Sequence, residues 1–431
     1  MAAIESIQAR EVLDSRGDPT VEVEIRTDQG GWGMAIAPSG ASTGSAEACE
    51  LRDGDPSRYD GRGVLTAIGH VHETIRPALL GFDPTNQFGL DGRLCELDST
   101  PRKSKLGGNA IVAVSLAAAH AGAAVLGVPL YRHVNELWQS LAGNAAAHTQ
   151  PRLPLPMTNL ISGGLHAGGN LDFQDFLIMP VGATSFAEAL EWIVRVSRRL
   201  GRLLSDSGYE GRLVGDEGGY GPRLKSNREA VEFVVRAIEA ARLRPGDDVG
   251  IALDVASTHF YDGAFYRLNA TGGQRLTSAD MIDQLESLVD QFPILSIEDG
   301  MAEEDWSGWE ALTRRLGSRV KLIGDDLFAT REDRLRRGIS VRAANSVLIK
   351  VNQVGTLSET LRTMRLAQAS QYGRVVSARS GETEDTTIAD LAVGTASKSI
   401  KIGSIQRSER LAKYNRLLRL EAELGTDAIN W

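Results

Sequence analysis

The chain has 431 residues, of which 42% are hydrophobic and 24% charged, and 46 are glycine. This length suggests two domains, or one large barrel with an extra module. The composition is typical of globular α/β proteins and excludes disordered and fibrous classes. Acidic residues outnumber basic ones, 56 to 47, giving a formal charge of -9. Nucleic acids and anionic membranes are therefore poor default partners, although small anions can still bind locally.

The cysteines and the N-terminal residues indicate a cellular compartment. Cys49 and Cys95 form no C-x-x-C pair and have no histidine at ligand spacing, so neither a disulfide framework nor a zinc site is indicated. The N-terminal residues are charged throughout and lack the apolar core of a signal peptide. We therefore expect a cytoplasmic protein. Residues 111–130 are apolar, but they contain Ser115 and His120, and we predict a buried core helix there.

The first half of the chain predicts an α+β region. Residues 20–36 alternate between apolar and polar side chains around a Gly-rich turn, which predicts a β-hairpin. Helical patterns follow to about residue 135, and a polar, Ala-rich connection spans residues 139–152. We place an N-terminal α+β domain at residues 1–138 and a second domain at residues 139–431.

Short apolar runs recur after residue 153, and each is followed by a stretch of helical period. Units of roughly 25 to 30 residues match one strand plus one helix of a parallel barrel, whose buried strands are continuously apolar. Each run ends in, or leads to, a charged residue, and in chain order these are Asp254, Glu298, Asp325, Lys350, Arg379 and Lys401.

These charged positions predict an active site. A charged side chain at the end of an apolar strand is costly unless it is paired or binds something. In a (β/α) barrel the carboxyl ends of all strands meet on one face, where the active sites of this fold lie. Three carboxylates and two lysines would meet there, so the pattern predicts a metal site beside a cationic cluster.

The sequence resembles the enolase family along essentially its whole length. The resemblance implies an α/β fold with a C-terminal (β/α)8 TIM-like barrel and an N-terminal α+β capping domain. It also implies an Mg²⁺-dependent lyase that removes a proton next to a carboxylate. Seven segments in the family's order carry the resemblance: residues 38–44, 163–169, 215–219, 296–299, 348–353, 379–385 and 407–413.

By this resemblance, Asp254, Glu298 and Asp325 hold Mg²⁺. A second Mg²⁺ is expected to enter with the substrate near Ser42, on the mobile loop. Removing a proton next to a carboxylate adds a second negative charge to it, which a divalent cation can absorb. Carboxylates are the hard oxygen ligands that Mg²⁺ prefers. A purely structural alternative stays open, in which these acids only pair with barrel lysines.

The resemblance also implies catalytic roles. Lys350 is the expected base, and a neighbouring Lys401 together with metal would lower its pKa. Glu217 is the expected acid that protonates the departing hydroxyl, and Asp175 and His166 are expected near the same leaving group.

The substrate is expected to be a small anionic phosphorylated or phosphonylated carboxylate. Arg379 and Ser380 resemble the family's phosphate-binding pair, and the forked donors of arginine suit this task. The other expected substrate-binding residues are Gly40, Ala41 and Ser42 of the loop, with Gln174, Ala378 and Lys401. The resemblance further implies a homodimer.

Two departures from the family pattern lie on the leaving-group side. Ala378 stands where the family has histidine, and Asp175 stands where it has glutamate. The expected metal ligands and the base are unchanged. We therefore predict a specialised paralogue that makes an enolpyruvate product from a substrate other than 2-phosphoglycerate, as in phosphonate biosynthesis. An ordinary glycolytic enolase and a catalytically silent enolase-like protein remain the alternatives.

Overall fold

A computed structural model describes residues 2–41, 44–142 and 149–431. The chain begins with a three-stranded antiparallel sheet in the order β1-β2-β3. The predicted hairpin at residues 20–36 is confirmed as the β2–β3 pair. The inward side chains Val21, Val23 and Ile25 are fully buried, which explains the alternation. The strands are β1 (Ile4–Leu13), β2 (Pro19–Thr27) and β3 (Trp32–Ile36).

Among the residues described up to position 142, five helices follow this sheet. They are α1 (Leu65–His70), α2 (Arg76–Leu79), α3 (Gln87–Leu97), α4 (Gly108–Leu126) and α5 (Leu130–Ser140), and a π-helical turn (Val71–Ile75) joins α1 to α2.

Helix α4 packs closely on the sheet. A Cβ atom at Gly33 of β3 would lie 2.2 Å from the carbonyl oxygen of Ala117, so this contact requires glycine. The buried helix predicted at residues 111–130 is confirmed, but it ends at Leu126 because Gly127 adopts a left-handed φ of 66°. Within the described residues, α4 is the one helix long and apolar enough to cross a membrane, and 78% of its apolar window is buried inside the protein.

Eight strands form a closed barrel in the second part of the chain, in the order β10-β11-β12-β13-β4-β5-β6-β9. The strands are β4 (Leu155–Ser162), β5 (Asp175–Met179), β6 (Gly250–Asp254), β9 (Ile294–Glu298), β10 (Lys321–Gly324), β11 (Ser346–Ile349), β12 (Gly373–Ser377) and β13 (Ser399–Gly403). A small hairpin, β7 (Tyr266–Leu268) with β8 (Gln274–Leu276), follows β6.

One barrel strand departs from the parallel pattern. Strand β5 runs antiparallel to both β4 and β6. The Gly-rich connection between β4 and β5 contains only a short 3-10 turn (Gly164–Ala167) and no crossover helix of the kind that parallel strands need. Asp175, the first residue of β5, consequently lies opposite Asp254, the last residue of β6. The reversed strand thus brings its amino end to the catalytic face.

In the described part of the chain, nine helices surround or follow the barrel strands. Helices α6, α7, α8 and α12 begin after a Ser or Thr whose side chain accepts a backbone N–H of the first turn, which stabilises their starts. The helices are α6 (Phe186–Asp206), α7 (Asn227–Ala240), α8 (Ser278–Gln291), α9 (Trp306–Leu316), α10 (Glu332–Val341), α11 (Val351–Val354), α12 (Leu357–Ala369), α13 (Thr387–Gly394) and α14 (Ser408–Leu424).

The charged strand ends lie close to their predicted positions. Asp254 and Glu298 are the last residues of β6 and β9, and Asp325 and Lys350 directly follow β10 and β11. The expectation that Lys401 ends its strand is wrong, because β13 continues to Gly403. Lys401 pairs in register with Ser377, the last residue of β12, and so still reaches the same end of the barrel.

Buried His133 on α5 predicts acid sensitivity. Burial lowers the pKa of His133 to about 4, and neither ring nitrogen has a hydrogen-bond partner among the described residues. In the unfolded chain a histidine titrates near about 6.5, so the unfolded state gains a proton first as the pH falls. The free energy of unfolding should therefore fall by up to about 3 kcal/mol as the pH falls from 6.5 to 4. We expect His133→Leu to reduce this slope in urea unfolding measured across that range, and an unchanged slope would contradict the prediction.

Candidate active site

The carboxylates and lysines predicted to meet are brought together at the mouth of the barrel. The Nζ atom of Lys401 donates to Asp254 Oδ2 at 2.7 Å and to Glu298 Oε1 at 2.8 Å. The Nζ atom of Lys350 donates to Asp325 Oδ2 at 2.5 Å. All five residues are buried. The ammonium group of Lys401 therefore bridges two carboxylates, and that of Lys350 binds the carboxylate of Asp325.

Burial and neighbouring charges shift the pKa values of these groups. Burial, reinforced by the nearby charge of Asp254, raises the pKa of Glu298 to about 8. Burial opposes the charged forms of both lysines, but their carboxylate partners outweigh it and raise the pKa of each. The fall in the pKa of Lys350 expected from sequence is absent here, because Asp325 lies so close. Lys350 can act as a base only when another cation takes up the charge of Asp325.

The donor atoms at this mouth suit a hard divalent cation. Glu298 Oε2 is buried without a hydrogen-bond partner in the described part of the chain, and so is Gln174 Oε1. The Nε2 atom of Gln174 donates to Asp254 Oδ2 at 3.2 Å and orients that carboxylate. An orphaned buried carboxylate oxygen is costly unless something binds it. The lysine pairs are also expected of a purely structural cluster, but the orphaned oxygens favour a metal site.

Two tighter groups of possible ligands flank these carboxylates. Within the described residues, potential ligand atoms lie within 4.8 Å of one another in the groups His166, Asp175, Glu217 and Asp299, Asp325, Asp326. In the second group, both oxygens of Asp299 accept backbone N–H groups, from Asp325 at 2.9 Å and from Asp326 at 2.8 Å. Asp299 therefore fixes the chain that carries Asp325.

The first of these groups forms the expected leaving-group side. His166 Nδ1 lies 2.9 Å from Asp175 Oδ2, and Asn159 Nδ2 donates to the other oxygen of Asp175. Both carboxylate oxygens of Asp175 are thus engaged. Glu217 lies on a Gly-rich turn that places it beside His166. The side chains of His166, Asp175 and Glu217 are all buried.

On this side of the pocket, the proton resides on the imidazole of His166 and not on Glu217, the expected acid. Burial opposes the charged form of His166, but Asp175 and Glu217 outweigh it and raise the pKa of His166 to about 9. Burial raises the pKa of Asp175 to about 6. Burial also opposes ionisation of Glu217, but His166, Arg410 and the lysines outweigh it and lower its pKa. At neutral pH the proton on this side is therefore held by His166, and Glu217 is ionised.

Two family models match the chain. The model described as "Enolase, N-terminal domain" matches residues 4–134, and the model described as "Enolase, C-terminal TIM barrel domain" matches residues 150–430. The chain belongs to the enolase family. Enzymes of the enolase family are generally Mg²⁺-dependent lyases that act on small phosphorylated carboxylates, and they are often oligomeric. The matches and the closed eight-stranded barrel confirm the predicted fold class.

The pocket in this enolase-family barrel is narrow. It is lined in part by His166, Glu217, Lys350, Ala378 and Lys401, and its cavity of about 10 Å³ has room for about one water molecule. Ala378 brings no polar side-chain atom to this lining, and its backbone N–H donates to the Lys401 carbonyl at 2.8 Å. As described, this pocket has no room for a phosphorylated three-carbon acid beside the lysine ion pairs.

The loop segment predicted to contact substrate meets the barrel at Ser380. The Oγ atom of Ser380 accepts the N–H of Ala41 at 2.6 Å, and Ser39 pairs with Gly381 through the backbone. Gly40 lines an adjoining cavity of about 300 Å³ together with Arg379. Ser42, predicted to bind metal and substrate, lies outside the described residues.

Sequence reasoning missed several residues of this site, among them Glu47 and Gln353. The carboxylate of Glu47 pairs with the guanidinium of Arg379 at 3.0 Å. The Nε2 atom of Gln353 donates to Asp325 Oδ1 at 2.8 Å. Both residues lie within or close to segments that carry the family resemblance, which is the one signal that pointed towards them. Neither follows an apolar strand run, so the strand-end pattern could not identify them.

The orphaned oxygen of Glu298 yields a test of the metal site. We expect Glu298→Gln to weaken Mg²⁺ binding at least about tenfold, or about 1.4 kcal/mol, because an amide removes one negative charge from the ligand set. Isothermal titration with Mg²⁺ measures this affinity directly. Glu332→Gln serves as the control, since the partly exposed Glu332 pairs with Arg336 at the surface. Equal Mg²⁺ affinity in the Glu298 variant and the wild type would contradict this ligand assignment.

Proposed function

We propose that this protein removes the α-proton of a phosphorylated or phosphonylated carboxylate and expels a leaving group from the neighbouring carbon, forming an enolpyruvate product. One observation carries the proposal. Asp254, Glu298 and Asp325 surround two buried ammonium groups at the barrel mouth, those of Lys350 and Lys401. An amine base beside oxygen ligands for a divalent cation is one combination that allows a carbanion to form next to a carboxylate.

Lys350 is the proposed base. Its Nζ can accept the α-proton only as the neutral amine, after the ammonium ion held by Asp325 has lost a proton to solvent. Mg²⁺ held by Asp254, Glu298 and Asp325, with a second ion entering at Ser42, would supply the positive charge that stabilises the doubly charged carboxylate. Lys401 remains charged, because burial is outweighed by two carboxylates and its pKa is raised. Its charge adds to the stabilisation of the carbanion.

The departing group leaves on the side of His166, Asp175 and Glu217. We propose Glu217 as the acid, with His166 supplying the proton that this side carries at neutral pH. Asp175 holds the imidazole at 2.9 Å. Arg379 and Ser380, with Gly40 and Ala41 of the loop and Gln174, Ala378 and Lys401 of the pocket, form the proposed binding surface for the substrate.

The proposed substrate differs from 2-phosphoglycerate. Ala378 provides no side-chain donor, and Asp175 is fully engaged with His166 and Asn159. Both features lie on the leaving-group side, whereas the base and the metal ligands are intact. We therefore propose a specialised paralogue resembling carboxyphosphonoenolpyruvate synthase of phosphonate natural-product biosynthesis. The intact base and carboxylates favour glycolytic conversion of 2-phosphoglycerate to phosphoenolpyruvate as the second candidate.

The organisation of the protein is part of the same proposal. We propose a division into residues 1–138 and residues 139–431, a homodimer, and a cytoplasmic location. The proposed boundary lies in the last turn of α5, which ends at Ser140, and the first barrel strand begins after it at Leu155. The location is supported by the two cysteines, Cys49 and Cys95, which are unpaired.

Exchange of the α-proton of 2-phosphoglycerate into heavy water, with and without Mg²⁺, tests the proposed function. Metal-dependent exchange without product supports the specialised paralogue. Full turnover to phosphoenolpyruvate supports the glycolytic enzyme. Absence of exchange with 2-phosphoglycerate and with phosphonylated three-carbon acids would overturn the proposal and favour a catalytically silent protein.

Replacing the base tests the role of Lys350. We expect Lys350→Ala to lower the exchange rate at least about 100-fold, the scale of general-base catalysis, with little change in thermal unfolding. Exposed Lys225→Ala is the control for loss of a lysine elsewhere. Exchange at the wild-type rate in the Lys350 variant would remove its assignment as base.

Restoring the family residues tests the leaving-group side. We expect Ala378→His combined with Asp175→Glu to raise dehydration of 2-phosphoglycerate about tenfold, or about 1.4 kcal/mol of activation free energy. The double variant returns a donor and a longer carboxylate to that side. Phosphoenolpyruvate formation is followed by absorbance, with both single variants alongside. No gain in a double variant that still binds Mg²⁺ would show that these two positions do not set the substrate.

A further inference from the structure

A buried carboxylate from the N-terminal region holds the arginine expected to bind substrate. Glu47 Oε2 accepts from Arg379 Nη1 at 3.0 Å, and Glu47 Oε1 accepts from Arg379 Nη2 at 3.2 Å. The pair is almost entirely buried, with 2% of the Arg379 side chain and 5% of the Glu47 side chain exposed. This bidentate geometry fixes the plane of the guanidinium. Glu47 therefore determines how Arg379 faces the pocket.

The same carboxylate continues into the proposed metal and base site. Glu47 Oε1 also accepts from Gln353 Nε2 at 3.3 Å. That nitrogen donates to Asp325 Oδ1 at 2.8 Å, while the other oxygen of Asp325 holds Lys350. An unbroken chain of contacts thus runs from Arg379 through Glu47, Gln353 and Asp325 to Lys350.

Each member of this chain is also held from outside it. The Oε1 atom of Gln353 accepts from Thr330 Oγ1 at 2.6 Å, which also accepts the Lys350 N–H at 2.9 Å. The Gly44 N–H donates to Glu47 at 3.0 Å, and the Ala48 N–H donates to the Gln353 carbonyl at 2.7 Å. Glu47 is therefore tied both to the end of the loop and to the barrel. Side chains locked in this way are suited to positioning catalytic groups.

The charge of Glu47 has two opposite consequences. It makes burial of Arg379 tolerable, because an isolated buried charge is very costly. It also cancels part of the positive charge that an incoming phosphate or phosphonate would meet. Glu47 thus weakens ground-state binding of the anion while it aligns Arg379, Asp325 and Lys350 for reaction.

We infer that Glu47 is a positioning residue that couples recognition of the substrate's anionic group at Arg379 to placement of Asp325 and Lys350. The inference rests on the proposed function and adds a residue to its site. It makes the segment from Gly44 to Cys49 a part of the active site, because Glu47 connects the loop of the N-terminal region to the base.

The test is Glu47→Gln, which keeps the side-chain shape and removes the charge. Inorganic phosphate should bind about tenfold more tightly by isothermal titration, the scale of coupling between linked sites. In Mg²⁺-dependent exchange, kcat should fall about tenfold while KM also falls, since alignment is lost as the anion binds better. A merely structural defect would weaken binding and turnover together. Glu47→Asp, which keeps the charge, should bind phosphate within about twofold of wild type.

Asp390→Asn is the matched control. Asp390 is a buried carboxylate paired with Arg416 at 2.6 and 2.8 Å, away from the barrel mouth. Removing the negative charge of Asp390 should leave the affinity for inorganic phosphate unchanged. Phosphate affinity in Glu47→Gln equal to or weaker than wild type would overturn the inference. If the wild type shows no exchange, the proposed function fails, and the phosphate titration alone still decides the role of Glu47.

Discussion

Buried negative charge at the barrel mouth is the constraint on which the rest of the site depends. Carboxylates converge there in excess of the cations available, and burial raises the pKa of Glu298 to about 8 and that of Asp326 to about 8. Such a concentration of acids is costly in a protein interior unless cations compensate it. The lysines and Arg379 compensate only part of it, so a divalent cation suits the site. The buried acids are Glu47, Asp175, Glu217, Asp254, Glu298, Asp299, Asp325 and Asp326.

The same constraint acts on Lys350, the proposed base. Lys350 is held as an ammonium ion by Asp325, which raises its pKa although burial favours the neutral amine. Under the proposed function, a cation bound to these carboxylates would neutralise Asp325 and so remove the partner that raises the pKa of Lys350. The N-terminal region contacts this site through Glu47, since that carboxylate is linked to Asp325 by Gln353.

The sequence predicted those features that depend on local patterns. The hairpin was predicted from the alternation of apolar and polar side chains. The positions of Asp254 and Glu298 were predicted from apolar runs that end in a charged residue. The antiparallel direction of β5 could not be predicted, because a run of apolar residues does not indicate which way the strand runs in the sheet. The extension of β13 beyond Lys401 was missed for a related reason, since the apolar pattern continues through Ile402. Glu47 and Gln353 were missed because their roles arise from contacts between distant segments. The direction of the Lys350 pKa shift depends on a 2.5 Å contact that no spacing rule reveals.

The position of a bound cation decides whether Asp254, Glu298 and Asp325 form the metal site. Crystals grown with Mn²⁺ in place of Mg²⁺ would show the ion by its anomalous scattering. The account predicts a peak within about 2.0 to 2.6 Å of carboxylate oxygens from Asp254, Glu298 and Asp325, the range for hard oxygen ligands. It also predicts that Lys350 Nζ moves away from Asp325 in that crystal. A peak held instead by His166, Asp175 and Glu217, or by Asp299 and Asp326 with the lysine pairs intact, would contradict the account.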